Sequence, residues 1–208
     1  MFGRHKPPPN PAGNVGGEPL PISVRSEPLV GYRMWRVQPQ PQGLALTSLN
    51  IRYTWGVENT AECVRYPGVM VPSPKTHPGE PSPYVECACG LYAALPNQPL
   101  GEWEHIVAGV VHASGSVALT GRVIRCTLGF KAEHATIQSP VVLGAYCASS
   151  QACTEDVVAV DTQPGRVRGW CAEHAPDGAV DAAAWFQNAV NELEQRYAPI
   201  EFLSYYMM

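Results

Sequence analysis

No apolar run in this 208-residue chain approaches the roughly 20 residues that a membrane-spanning helix needs, so no membrane partner is expected. Helical periodicity is missing from most of the chain, and 21 prolines and 19 glycines punctuate it, which leaves short β-type runs as its main elements. Lysine is scarce, present only at Lys6, Lys75 and Lys131, and the dense basic face of a typical nucleic-acid binder is absent. There is no Gly-x-Ser-x-Gly elbow, no phosphate-cradling glycine loop, no zincin helix, and no deaminase His-x-Glu with a downstream Cys-x-x-Cys. No catalytic residue is therefore assigned.

The formal charge of −4 is unevenly spread. Between residues 22 and 75 six basic side chains (Arg25, Arg33, Arg36, Arg52, Arg65, Lys75) meet three acids, whereas between 133 and 208 ten acids meet only Arg166, Arg168 and Arg196. Residues 1–21 are Pro/Gly-rich, and Met1 to Gly17 has no apolar core of a signal peptide, so a disordered tail and a cytoplasmic, reducing location are expected. Under those conditions an odd cysteine count favours thiolate ligands and buried thiols over disulfides.

Six of the seven cysteines fall into two groups, each with a histidine. In the downstream group Cys147-x5-Cys153 precedes Cys171-x2-His174 by seventeen residues that read as a β-hairpin. Two ligand pairs at one end of a hairpin can close a four-ligand Zn²⁺ site, provided that the Ser149-Ser150-Gln151 segment bulges outward. The upstream group is Cys63, His77, Cys87 and Cys89, spread along a stretch with six prolines between residues 66 and 86. So long a loop needs an anchor, which a second Zn²⁺ would supply, and Gly90 allows the twist of a ligand knuckle. Cys126, in Val123-Ile124-Arg125-Cys126, is expected as a core thiol. Glu133 and His134, as neighbours on a strand, should point to opposite faces.

Strands are read over Leu29–Val37, Leu44–Tyr53, Ile106–Val111, Ser116–Leu119, Arg122–Thr127, Phe130–Ile137 and Val141–Tyr146, with breaks at Gly115, Gly121 and Gly129. The hairpin is read as Asp156–Val160 and Arg166–Trp170 around a turn at residues 161–165. Ala183, Phe186, Val190, Leu193 and Tyr197 form the apolar stripe of one helix that stops before Pro199.

Gly31-Tyr32-Arg33-Met34-Trp35-Arg36, Ala61-Glu62-Cys63, Cys87-Ala88-Cys89-Gly90-Leu91-Tyr92-Ala93 and Gly129-Phe130-Lys131-Ala132-Glu133-His134-Ala135 occur in this order. This set resembles a family of small cysteine-containing proteins of actinobacteria, other Gram-positive bacteria and their phages, over residues 28 to 143. The resemblance implies no particular activity. Relatives tend to carry tryptophan where this chain has Thr120, before the glycine matched by Gly121.

The expected fold is α+β: a β-rich domain over 22–143 with a zinc-stabilised loop, then a zinc-ribbon-like hairpin and C-terminal helix over 144–208 packed on it. The expected function is a non-enzymatic, zinc-stabilised binding or adaptor protein, phage-encoded and acting on a host protein. A nucleic-acid-binding accessory protein is the second reading, with Arg33, Arg36, Arg52, Arg122 and Arg125 as its basic face, and an enzyme with an exposed cysteine is the third.

Overall fold

The computed structural model describes residues 23–49, 53–62, 82–84, 89–95, 109–126, 128–149 and 153–207. The expected tail at 1–21 lies outside them, as does most of the proline-rich stretch. Among the described residues the fold is β-rich with one α-helix, in keeping with an α+β class.

Three long strands, β1 (Ser23–Gln40), β5 (Val111–Cys126) and β6 (Gly129–Ala145), make an antiparallel meander. The short strands β2 (Gly43–Thr47), β3 (Glu58–Thr60) and β4 (Leu91–Ala94) lie between β1 and β5 in sequence. Strand β4 pairs with β6 on one side and, through Tyr32 and Ala94, with β1 on the other. The order β1, β5, β6, β4 therefore returns to β1, and the sheet closes into a ring, which removes the exposed edges that an open sheet would present. Glycine makes that closure sterically possible. A Cβ on Gly129 would lie 2.1 Å from the Ala93 carbonyl oxygen, and one on Gly31 2.7 Å from the Ala93 Cβ.

Of the three glycines read as strand breaks, Gly129 does begin a strand, whereas Gly115 and Gly121 are bends within one. Strand β5 runs through Gly115 and Gly121, and β6 through Pro140. Each sits at a register shift. Gly115 pairs with Val141 and Val117 with Ile137, so 138–140 oppose Ser116 alone, and Pro140 needs no ladder bond there. Thr120 pairs with His134 and Val123 with Ala132, so Gly121 (φ +71°) and Arg122 oppose Glu133 alone. Between β1 and β5 the pairing skips from Arg25 to Leu29, an interval that holds Pro28. Such bulges bend a strand and raise its twist, and a small closed sheet needs both.

Beyond the ring, β7 (Ala159–Gln163) and β8 (Arg166–Trp170) form the hairpin around a two-residue Pro164-Gly165 turn, Gly165 having φ +72°. Asp161, Thr162 and Gln163 thus belong to the strand, not to the turn. β9 (Val180–Asp181) pairs with β7 and leads into helix α1 (Ala182–Arg196). Asp181 caps this helix, its carboxylate accepting from the Ala184 N–H at 2.8 Å. The buried stripe is Ala182, Phe186, Ala189, Val190 and Leu193, so Ala182 takes the inward place expected of Ala183, which is exposed. After Pro199, β10 (Phe202–Ser204) pairs parallel with β6, and a 3₁₀ turn, Tyr205–Met207, follows.

One contiguous core joins the ring, the hairpin and the helix, from Trp35 and Leu119 through Val160 and Val167 to Phe186 and Leu193. Tyr197, buried just after α1, fastens the helix to β2 and the segment that follows it. Its hydroxyl accepts from the Leu46 N–H at 2.8 Å and donates to the Trp55 carbonyl at 3.0 Å. Trp55 in turn meets Trp35 edge to face at 5.7 Å. Tyr197→Phe would leave a buried N–H and a buried carbonyl without this partner, and should lower unfolding free energy by about 1 to 3 kcal/mol in urea denaturation with no change of fold by circular dichroism.

Candidate metal centre

The downstream cysteines and histidine converge. Cys147 and Cys171 are buried, Cys153 is half-buried and His174 is exposed, and their ligand atoms all lie within 4.8 Å of one another. His174 Nδ1 is 3.0 Å from the Cys171 sulfur, 3.7 Å from that of Cys147 and 3.8 Å from that of Cys153. The sulfurs of Cys153 and Cys171 are 3.9 Å apart, far beyond the ~2.05 Å of a disulfide. Metal bonds of about 2.3 Å to sulfur and about 2.0 Å to nitrogen, set tetrahedrally, put two sulfurs about 3.8 Å apart and sulfur and nitrogen about 3.5 Å apart. The four residues can hold a metal ion, with one ligand atom each and no bond to be made by solvent.

Two strands deliver the buried pair of this cluster. Cys147 follows the end of β6, and Cys171 follows the end of β8. They meet because Gly169 lets the hairpin settle against β6: the Ala148 N–H donates to the Gly169 carbonyl at 2.8 Å, and Cys147 bridges to Gly169. A Cβ at Gly169 would lie 2.8 Å from the Ala145 Cβ and 3.0 Å from the Val157 side chain. Past Cys171 the chain turns sharply, the His174 N–H donating to the Cys171 carbonyl at 3.2 Å. The backbone N–H groups of Glu173 and His174 also reach the Cys171 sulfur, the arrangement expected of a ligand knuckle.

The thiols differ in acidity. Burial pushes Cys147 up, but hydrogen bonds from the Ser149 hydroxyl, which lies 3.3 Å from its sulfur, and from the Cys171 and Ser149 backbone outweigh it and leave the thiol at about 6. Cys171 is raised, first by burial and then by the neighbouring thiols. A cation among these sulfurs would offset that crowding of negative charge. Comparison with models of known families, with curated proteins and with solved structures finds no match to this chain.

Of the upstream set, Cys63, His77 and Cys87 lie outside the described residues. Cys89 is half-buried, and its sulfur accepts from the Tyr84 N–H at 3.4 Å. Gly90 has φ +125°, a value that side chains rarely adopt. The same turn rests on β6, where buried Lys131 donates to the Tyr84 carbonyl at 2.6 Å.

Other sequence expectations are corrected here. Cys126 is half-buried at the end of β5 instead of sunk in the core, and partial burial raises its thiol. Glu133 and His134 do not diverge: the bulge opposite Gly121 leaves His134 Nε2 3.6 Å from Glu133 Oε1. Thr60 Oγ1 lies 3.2 Å from His134 Nδ1, and the Glu133 carboxylate accepts from the Arg122 N–H at 3.0 Å. Arg33 is no surface cation. Its guanidinium lies 4.1 Å over the Trp55 ring and donates to the Tyr92 carbonyl and, at 3.1 Å, to the Ser48 hydroxyl. Burial pushes its pKa down to about 9. Gly169 was unmarked as a site residue in the sequence, although a glycine within a β-type run signals close backbone approach.

Two measurements test the centre. Gly169→Val keeps all four ligands yet pushes the hairpin off β6, so metal affinity in a chelator competition should fall at least about tenfold, as when a ligand's supporting contacts are lost. Acidification should release the metal, because thiols and imidazole bind deprotonated and protons compete as pH falls. A chromophoric chelator should thus extract metal faster at pH 5 than at pH 7.5.

Proposed function

We propose that this chain is a non-enzymatic binding or adaptor protein whose Cys147, Cys153, Cys171 and His174 hold a structural Zn²⁺ in a zinc-ribbon-like hairpin. The closed ligand set carries this reading: three sulfurs and one imidazole nitrogen lie together. Three thiolates favour Zn²⁺ over harder cations, and structural zinc sites take four protein ligands, whereas catalytic ones keep a position for water or substrate. The resemblance over residues 28 to 143 carries no activity of its own, and the reading adds to it a phage or bacterial origin with a host protein as the partner.

The nucleic-acid reading has less support. Of its five arginines Arg52 lies outside the described residues, and Arg33 is enclosed against Trp55. A zinc-bound loop made by Cys63, His77, Cys87 and Cys89 remains part of the proposal, and with it a stoichiometry of two Zn²⁺ per chain.

Cobalt substitution separates a structural ion from a catalytic one. The Co²⁺ form should show the intense visible bands of tetrahedral thiolate ligation, unchanged by azide or cyanide, because no coordination position is open to them. A spectrum that shifts with azide would overturn the structural role in favour of the enzyme reading. Elemental analysis of the zinc form should return two ions per chain; one ion would remove the upstream site and leave the downstream tetrad.

A further inference from the structure

A cleft of about 350 Å³ lies between the end of β1 and the β8 strand of the hairpin, and Ala148, next to Cys147, is among the residues that line it. Three arginines line this cleft, half-buried Arg36 from β1 and exposed Arg166 and half-buried Arg168 from β8. None of the described residues lining it is acidic. Their convergence is unusual for this part of the molecule, since residues 133–208 carry ten acids and only three basic residues, two of which are here.

Like charges brought together at a partly buried site repel one another unless an anion separates them. Arg36 feels this directly: burial and then the charge of Arg166 lower its pKa. Its Nε is buried and has no hydrogen-bond partner. No ion pair to any of the three guanidinium groups occurs among the described residues. Asp161 stands opposite Arg168 in the hairpin register without forming an ion pair to it, and its carboxylate accepts from Gln163 Nε2 at 2.9 Å. The pattern is that of a site short of one anion.

We propose that this cleft binds the phosphate group of a small phosphate monoester or diphosphate. Guanidinium forks match phosphate oxygens two at a time and remain charged at any physiological pH. The cleft exceeds the needs of a bare phosphate and lies within the size range of small-molecule pockets, so an organic group attached to the phosphate has room. A polymeric phosphodiester fits less well. It needs an extended basic track, and the acid-rich surroundings would repel it.

Isothermal titration of the metal-loaded full chain with pyrophosphate and with AMP tests the assignment. Both should bind, and Arg166→Ala or Arg168→Ala should weaken each by roughly 10- to 100-fold, the range expected when a charge-assisted hydrogen bond is lost. Arg196→Ala, on the helix and outside the cleft, should bind like the unaltered chain. Metal content and circular dichroism of each variant separate lost binding from lost fold. Absence of binding to both probes would overturn the proposal, as would binding that the two cleft variants leave unaltered. Binding confined to a single-stranded oligonucleotide would also overturn it, making the cleft part of a nucleic-acid surface. Because the cleft shares no ligand with the metal, this result and that of the cobalt experiment stand or fall separately.

Discussion

Closure of the sheet through β4 is the constraint on which the rest of the structure depends. A sheet of three long strands has two outer edges, and here four residues, Leu91–Ala94, join one to the other by pairing with the start of β6 and touching β1 at Tyr32. The approach is close enough that Gly31 and Gly129 admit no side chain. Once the ring is closed, its curvature dictates where the strands must bulge, and the bulges place the glycines and prolines. The same curvature turns Arg33 toward Trp55 and Tyr92, so a cation from the middle of β1 becomes an interior cross-link between strands.

Strand β6 carries this order outward to the metal centre. It begins at the ring closure with Gly129 and ends two residues before Cys147. The hairpin bearing Cys171 and His174 reaches that end only because Gly169 lets two backbones touch. The four side chains are thus brought together by packing, and a metal ion held among them would tie the same two elements a second time. Binding free energy at such a site is also folding free energy, shared between the hairpin and the ring.

The sequence was most informative where chemistry or a long period was involved. The convergence of Cys147, Cys153, Cys171 and His174 was legible from their spacing around a hairpin, and α1 was legible from its stripe. Where the sequence misled, the cause was tertiary. Gly115, Gly121 and Pro140 are local signals of interruption, and only a closed, curved sheet turns them into bends within continuous strands. Ala182 and Ala183 differ by nothing local, and the choice between them follows from how the helix leaves β9. Glu133 and His134 were assigned opposite faces by the regular two-residue period, which the bulge at Gly121 suspends. The arginine cleft was illegible in the same way, since Arg36 lies 130 positions before Arg166 and nothing nearby in sequence joins them.

The free edge of β6 is filled by three short pieces drawn from distant parts of the chain: β4, then β3, then β10. A ribosome releases these pieces in a different order from the one in which they line up. β3 and β4 are already available when β6 emerges, whereas β10 follows only after the hairpin and the helix. During synthesis the stretch Val141–Leu143, ending four positions before Cys147, thus stays bare on that side until the end of the chain arrives. An uncovered strand edge invites pairing with other chains. For this protein that edge is open to mispairing from the making of Leu143 until Phe202 arrives.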